Sequence, residues 1–191
     1  MKQLTLQESR KPVKLGQYNN SWYNPGPRWK VLLWLITSAI FFNNSLAIFY
    51  ALKCWLLGKF GAQIGSQVVI KPSVNIKYPW FLKVGNNVWI GEKVWIDNLA
   101  MVTIGNDVCI SQGALLLTGN HNFKKSTFDL IAAEITLEEG VWLGAKSIVC
   151  PGVTCQSHAV LTVGSIATKN LDTYSVYQGN PAVKIKSRII L

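Results

Sequence analysis

The chain has 191 residues, 49% of them hydrophobic and only 15% charged, with 19 basic against 9 acidic side chains for a formal net charge of +10. That length holds one repeat domain with accessories, and the thinly spread basic excess suits phosphate-bearing ligands or an anionic membrane surface. No helix-turn-helix, zinc or RNA-recognition signature accompanies it, which argues against nucleic acid as a partner.

Residues 1–28 are polar and broken by Pro12, Pro25, Gly26 and Pro27, which reads as an arm rather than a packed element. The apolar run that follows starts too late for a secretory signal. It covers residues 29–60, first as Trp29 to Thr37 and Ala39 to Phe42, then as Leu46 to Leu57 with Lys53 inside it. A membrane span needs about twenty apolar residues, so the first run is too short, and Asn43-Asn44 would sit badly in hydrocarbon. The pattern predicts two helices joined at Asn43 to Ser45. They would cap the open end of the next segment, whose terminal strands are otherwise raw edges. Exposed Trp and Phe beside Arg28, Lys30, Lys53 and Lys59 also fit peripheral contact with a membrane through residues 29–57.

From residue 61 to 172 the spacing changes. An aliphatic residue returns every sixth position, with a small or β-branched one four places later, as in Val84-Gly85-x-x-Val88 and Ile90-Gly91-x-x-Val94. A period of six fits neither an α-helix nor one long strand; it marks a parallel β-helix. The first position of each hexad should point inward. The fifth should too, and must be small because three walls meet over a narrow core. Gly at the second position is expected at a corner with unusual φ. Three hexads make one coil, which predicts about five coils in a mainly β fold. A right-handed β-helix would have longer, less regular coils.

Hexads at 64, 70 and 76 are followed, after a slip of two, by 84, 90 and 96, and after another by 104, 110 and 116. Then 137, 143, 149 and 155, 161, 167 run on. Insertions therefore enter at one corner, and the largest leaves a loop at 118–136. A loop on a rigid scaffold is where function concentrates. This one opens Thr118-Gly119-Asn120-His121. His121 is suited to proton transfer, although a surface histidine would look the same in sequence.

His158, at the fourth place of its hexad, should face outward. Trp89 and Trp95 read as packing or subunit-contact residues. The four cysteines, Cys54, Cys109, Cys150 and Cys155, contain no Cys-x-x-Cys. They read as free core thiols of a reducing compartment, so a cytoplasmic protein is expected. Two histidines are too few for a three-histidine metal site in one chain, and no metal is expected. A C-terminal tail, 173–191, carries Gly179-Asn180-Pro181-Ala182 and then Lys184, Lys186 and Arg188.

The hexads, the Thr118–His121 loop, Val141-Trp142-Leu143-Gly144, Gly164 to Lys169 and Gly179 to Ala182 together resemble the hexapeptide-repeat acetyltransferases. Gly61 to Gly65, Ile70 to Val74 and Tyr78-Pro79-Trp80 resemble the colanic acid subgroup, relatives of the maltose, galactoside and nodulation-factor O-acetyltransferases. The likeness runs over about residues 20–188. It implies a left-handed β-helix, a homotrimer with active sites between neighbouring shafts, and acetyl-CoA as donor. His121 matches the family's general base. Trp142 matches an aromatic near the pocket, and Ala145 and Val163 match the pantetheine path. Thr168, Lys169, Lys184 and Arg188 could meet coenzyme phosphates. The acceptor would be a sugar of a surface or exo-polysaccharide or its lipid-linked precursor, with Asp97, Asn98 and Asn120 as candidate contacts. Thr162 and Val163 stand where the family has smaller residues and could crowd the channel. The alternatives are an amino-sugar N-acetyltransferase and a non-catalytic scaffold at the membrane.

Overall fold

The computed structural model describes residues 11–191. The first ten residues of the expected arm lie outside the described residues; Leu15–Gln17 form one 3-10 turn within the rest. The chain divides into two compact units. One joins the described residues up to Asn24 with Asn120–Ile131, and the other joins Pro25–Gly119 with Ala132–Leu191.

The second unit is a left-handed β-helix. Its first wall stacks the strands Gln63–Ile64, Leu82–Val84, Val102–Ile104, Ile135–Leu137 and Thr154–Cys155 in parallel. The second wall stacks Val69–Ile70, Trp89–Ile90, Cys109–Ile110, Trp142–Leu143, Val160–Leu161 and Ser175–Gly179. The third stacks Asn75–Ile76, Trp95–Asp97, Leu115–Leu117, Ile148–Val149 and Ile166–Ala167. Register follows the hexads: Ile64, Val84, Ile104, Leu137 and Cys155 lie over one another on the first wall. Five coils are complete. A sixth begins where Leu171 bridges to Cys155, and its Ser175–Gly179 strand pairs antiparallel with Ala182–Ser187.

From Ile70 onward the first hexad positions are buried along the shaft, and so are most of the fifth, Val74, Ala114 and Ser147 among them, whereas Ile64 at the start is only partly buried. Each buried Ile, Leu or Val contributes roughly 1.5–3 kcal/mol. One expectation is corrected. The second-position glycines 65, 85, 91, 105 and 144 are not in the left-handed region. They are needed because the next coil is too close: a Cβ on Gly144 would sit 2.6 Å from the Val163 nitrogen and 2.7 Å from the Thr162 carbonyl carbon. The positive φ falls two places later, at the fourth position, on Gln67, Asn87, Asp107, Gly140 and their equivalents.

Extra residues do enter at one corner, after the third wall. The first is a 3-10 turn at Pro79–Phe81, and the last is the long loop after Leu115–Leu117. Two helices, α1 (Arg28–Phe41) and α2 (Tyr50–Lys59), cover the start of the shaft. The Trp34 indole of α1 donates to the Ile76 carbonyl at 2.8 Å, and its ring meets Phe42 and Phe60 edge-on. Lys53 of α2 donates to the Ile70 and Lys71 carbonyls at 3.1 and 2.8 Å. These contacts satisfy edge carbonyls that the first coil leaves open. The link between the helices runs from Phe42 to Phe49, longer than the three residues expected, because Phe42 turns in against Trp34 and is fully buried. Among the described residues no helix is long and apolar enough to cross a membrane. All four cysteines are free, but only Cys155 belongs to the buried core. The other three sit half-buried, Cys109 and Cys150 because their register places them off the inward positions.

Candidate active site

The loop leaves the shaft at Thr118, which is buried. Its hydroxyl donates to the Asp97 carbonyl at 2.8 Å and accepts from the Ala100 amide. Gly119 follows because a Cβ there would run into the Leu99 side chain. The chain then forms a hairpin from Gly119–His121 and Leu130–Ala132. The hairpin is bound internally. The Asn122 amide donates to the Asp129 carbonyl at 2.8 Å, and Lys125 pairs with the Asp129 carboxylate at 2.8 Å. The Thr127 hydroxyl donates to the same carboxylate at 2.6 Å, and these partners hold its acidity below the usual carboxylate range. The Lys14 amide of the arm donates to the Ser126 carbonyl at 2.7 Å.

Within this unit His121 is half-buried and oriented from three sides. Its ring stacks on Phe128, with centroids 4.6 Å apart and planes 9° apart, and Tyr18 tilts against it at 5.7 Å. Its Nδ1 lies 2.9 Å from the Phe128 carbonyl oxygen. A carbonyl only accepts, so Nδ1 holds the proton of the neutral ring and Nε2 carries the lone pair. Phe128 is in the left-handed region at φ 53°, unusual for a bulky side chain, and that conformation aims its carbonyl at the imidazole. Asn120 is exposed, and its side-chain oxygen accepts from the His121 amide, so it braces the loop backbone.

In the shaft unit, Trp142 and Arg188 share a groove of about 710 Å³ with Thr162, Gln178 and Lys186. The Trp142 indole donates to the Ser111 hydroxyl at 3.0 Å. Arg188 donates to the Gly140 and His158 carbonyls at 2.8 and 3.1 Å and so ties the tail to the shaft. Ala145 and Val163 stack at the corner between the second and third walls, where the Gly164 amide donates to the Ala145 carbonyl. Val163 is exposed. Thr168 and Lys169, also exposed, begin the corner at the other end of the third wall, and Lys184 lies 3.8 Å from Asp172. One chain therefore does not gather all the expected donor contacts in one place.

Asn98 is a correction. It is fully buried, and its amide accepts from the Tyr78 nitrogen and donates to the Tyr78 and Phe81 carbonyls. Every polar atom is used to hold the corner, so none is left for an acceptor sugar. Asp97 beside it is almost buried and pairs with Lys77 at 2.8 Å. His158 does not simply face outward. It is half-buried at φ 63°, stacked on Tyr174 at 4.6 Å and lying over Gly140.

No family profile matches the chain. It is 40% identical over 160 residues, 84% of its length and 88% of the relative's, to an Escherichia coli protein provisionally named colanic acid biosynthesis acetyltransferase WcaF. It is 28% identical to the galactoside O-acetyltransferase of Escherichia coli, over 69% of this chain and 66% of that one. The chain belongs to the hexapeptide-repeat acetyltransferases. The same fold occurs in a galactoside acetyltransferase in complex with coenzyme A, with TM-score 0.74, 23% identity and 83% and 80% of the two chains covered. It occurs too in a maltose O-acetyltransferase from Clostridium difficile, with TM-score 0.72, 21% identity and 85% and 88% covered.

Two parts of this acetyltransferase's candidate site were invisible as motifs. The Phe128 carbonyl is a backbone group, and no side-chain pattern reports where it points. Tyr18 belongs to a polar arm that reads as unpacked. The only prior signal was the loop's own length, which placed Phe128 and Asp129 near His121 without orienting them.

Proposed function

We propose that this acetyltransferase moves the acetyl group of acetyl-CoA to a hydroxyl of a sugar in a surface or exo-polysaccharide, or in its precursor, with His121 as general base. The observation that carries the reading is the contact of His121 Nδ1 with the Phe128 carbonyl, which leaves Nε2 as proton acceptor. In this mechanism Nε2 takes the hydroxyl proton while the sugar oxygen bonds to the thioester carbonyl carbon. The carbon–sulfur bond then breaks, and Nε2 returns the proton to the departing sulfur. A thioester and an alcohol become an ester and a thiol, and His121 ends as it began. The Phe128 carbonyl, facing Nδ1–H, stabilises the transient imidazolium, and proton transfer of this kind is worth roughly 10²–10⁴-fold.

The donor contacts in this reading are Trp142, Ala145 and Val163 for the pantetheine arm, with Thr168, Lys169, Lys184 and Arg188 toward the phosphates. The groove beside Trp142 has the size and the basic rim such a ligand needs. Asp97 and Asn120 remain the acceptor-side candidates. A homotrimer fits the unequal walls. Outward positions on the first wall are Gln63, Lys83, Thr103, Thr136 and Thr154. Those on the second are Val69, Trp89, Cys109, Trp142 and Val160, and those on the third include Trp95, Leu115, Ile148 and Ile166. Two apolar walls and one polar wall suit a closed ring in which the second wall of one copy meets the third wall of the next. Such a ring would also bring the separated donor contacts of two copies to one coenzyme. Work on the cytoplasmic side of a membrane, touched through residues 29–57, completes the reading.

The test is direct. Purified protein is given acetyl-CoA with oligosaccharide or amino-sugar acceptors, and products are read by mass spectrometry. Acetyl esters on a sugar hydroxyl support the proposal; amide products alone, or no transfer to any saccharide, overturn it. Light scattering should give three times the 21.2 kDa chain mass.

A further inference from the structure

The helical cap is inside out. The shaft-facing stripe of α1 holds Trp34 and the polar Ser38, whose hydroxyl accepts from Asn43. Its outward face carries Leu32, Leu35, Ile36 and Ile40, each more than half exposed. The link continues that face with Leu46 and Phe49, which are more exposed still. An apolar hollow of about 230 Å³, lined by Ile40, Phe41, Leu46 and Leu52 among others, opens between α1, the link and α2. A helix normally turns its apolar stripe to the core, so an apolar face left in water marks a contact surface.

The helices and the first coil carry charge of one sign in sequence: from residue 25 to residue 91 there are seven basic residues and no acidic one. The acidic Asp97, which lies on the inner side of α1, is paired with Lys77. The exposed Trp29 follows the exposed Arg28 at the start of α1, while the Lys30 ammonium turns to the shaft, 4.5 Å over the Trp80 ring. At the end of α2 the Lys59 ammonium lies 5.5 Å over the Trp55 ring. Indole with adjacent cations at the rim of an aliphatic patch is the pattern of a protein resting at the headgroup level of a bilayer. Two copies meeting through this face would bring like charges together, which disfavours self-association there.

We propose that the outward face of α1 and the 46–49 link insert shallowly into a bilayer rich in anionic phospholipid, with Arg28 and Lys59 against its headgroups. This rests on the reading of residues 29–57 as a membrane contact and adds the lipid charge, the inserting face and the orientation: the start of the shaft meets the membrane. Each surface cation is worth about 5-fold in binding, from about 1 kcal/mol apiece, so the two together give roughly 30-fold for anionic over neutral vesicles at low salt. The preference should shrink as salt screens it.

The test is vesicle sedimentation of the whole protein with phosphatidylcholine alone and with phosphatidylcholine plus phosphatidylglycerol. It reads no acetyl transfer, so its failure leaves the enzymatic reading intact. Strong binding to the anionic vesicles, lost at least 10-fold in Leu35→Glu/Ile36→Glu and reduced toward the neutral level in Arg28→Ala/Lys59→Ala, supports the proposal. Trp29→Ser/Trp55→Ser serves as a milder variant, and unchanged melting temperatures verify folding. Equal binding to both vesicles keeps the membrane contact and overturns the anionic preference. Binding to neither overturns both. Concentration-dependent growth in mass that Leu35→Glu/Ile36→Glu abolishes would assign the face to another copy and also overturn the proposal.

Discussion

His121→Ala is the most informative substitution. The structure separates what it removes from what it leaves. The imidazole makes one hydrogen bond, to the Phe128 carbonyl, and stacks on one ring closely. Losing those should cost about 1–2 kcal/mol of local order in the hairpin. The Asp129 bonds to Lys125 and Thr127 and the Lys14 bond to Ser126 remain, so the loop keeps its frame. The shaft core does not include His121, so the melting temperature should move little. Turnover should fall by roughly 10²–10⁴-fold, or about 3–5.5 kcal/mol on the barrier, the usual contribution of a general base. Release of free thiol from acetyl-CoA in the presence of a saccharide measures the rate, and calorimetry measures coenzyme binding. Phe128→Leu keeps the carbonyl and loses the stack, so it should cost far less, about 10-fold or under. A His121→Ala protein that transfers acetyl groups at the wild-type rate would refute the assignment. So would one that has lost coenzyme binding as well, because the effect would then not be confined to proton transfer.

Leu116→Ala, at a fully buried first position on the third wall, should lower stability by about 2–5 kcal/mol in a denaturant titration. Gly144→Ala should push the coil carrying Thr162 and Val163 outward and cost about 1–3 kcal/mol, whereas Ala at Gly164 meets nothing within 4 Å and is opposed only by its φ of 66°. Burial lowers the Lys53 ammonium to about 8 from 10.5. The unfolded chain therefore binds more protons between those values, and Lys53 makes stability rise with pH across that window; its burial cost is fully present below pH 8. Lys53→Met should abolish that rise, which urea titrations at the two ends of the window would detect. Trp142→Ala should raise the KM for acetyl-CoA more than it lowers kcat, since the indole, pinned to Ser111, sits in the groove rather than beside a proton donor.

The hexad spacing alone determined the stack. Ile70, Ile90, Ile110, Leu143 and Leu161 recur at fixed phase and lie in register on one wall. Burial alternates with chain position in a strand, so once the period is known the inward set is known. The corner that takes insertions, the loop at 118 and the candidate histidine followed from the same count. Three things needed the folded chain. The second-position glycines look conformational in sequence but answer to the backbone of the next coil, a contact between residues one whole coil apart in the chain. Asn98 looks like a polar residue free to bind and is instead consumed by three corner bonds. The imidazole at position 121 is oriented by a carbonyl seven residues on, whose residue sits in the left-handed region. Side-chain periodicity reports which way a residue points. It does not report where carbonyls go or which polar groups are already satisfied, and those two matters distinguish the oriented histidine of the loop from an asparagine that holds a corner.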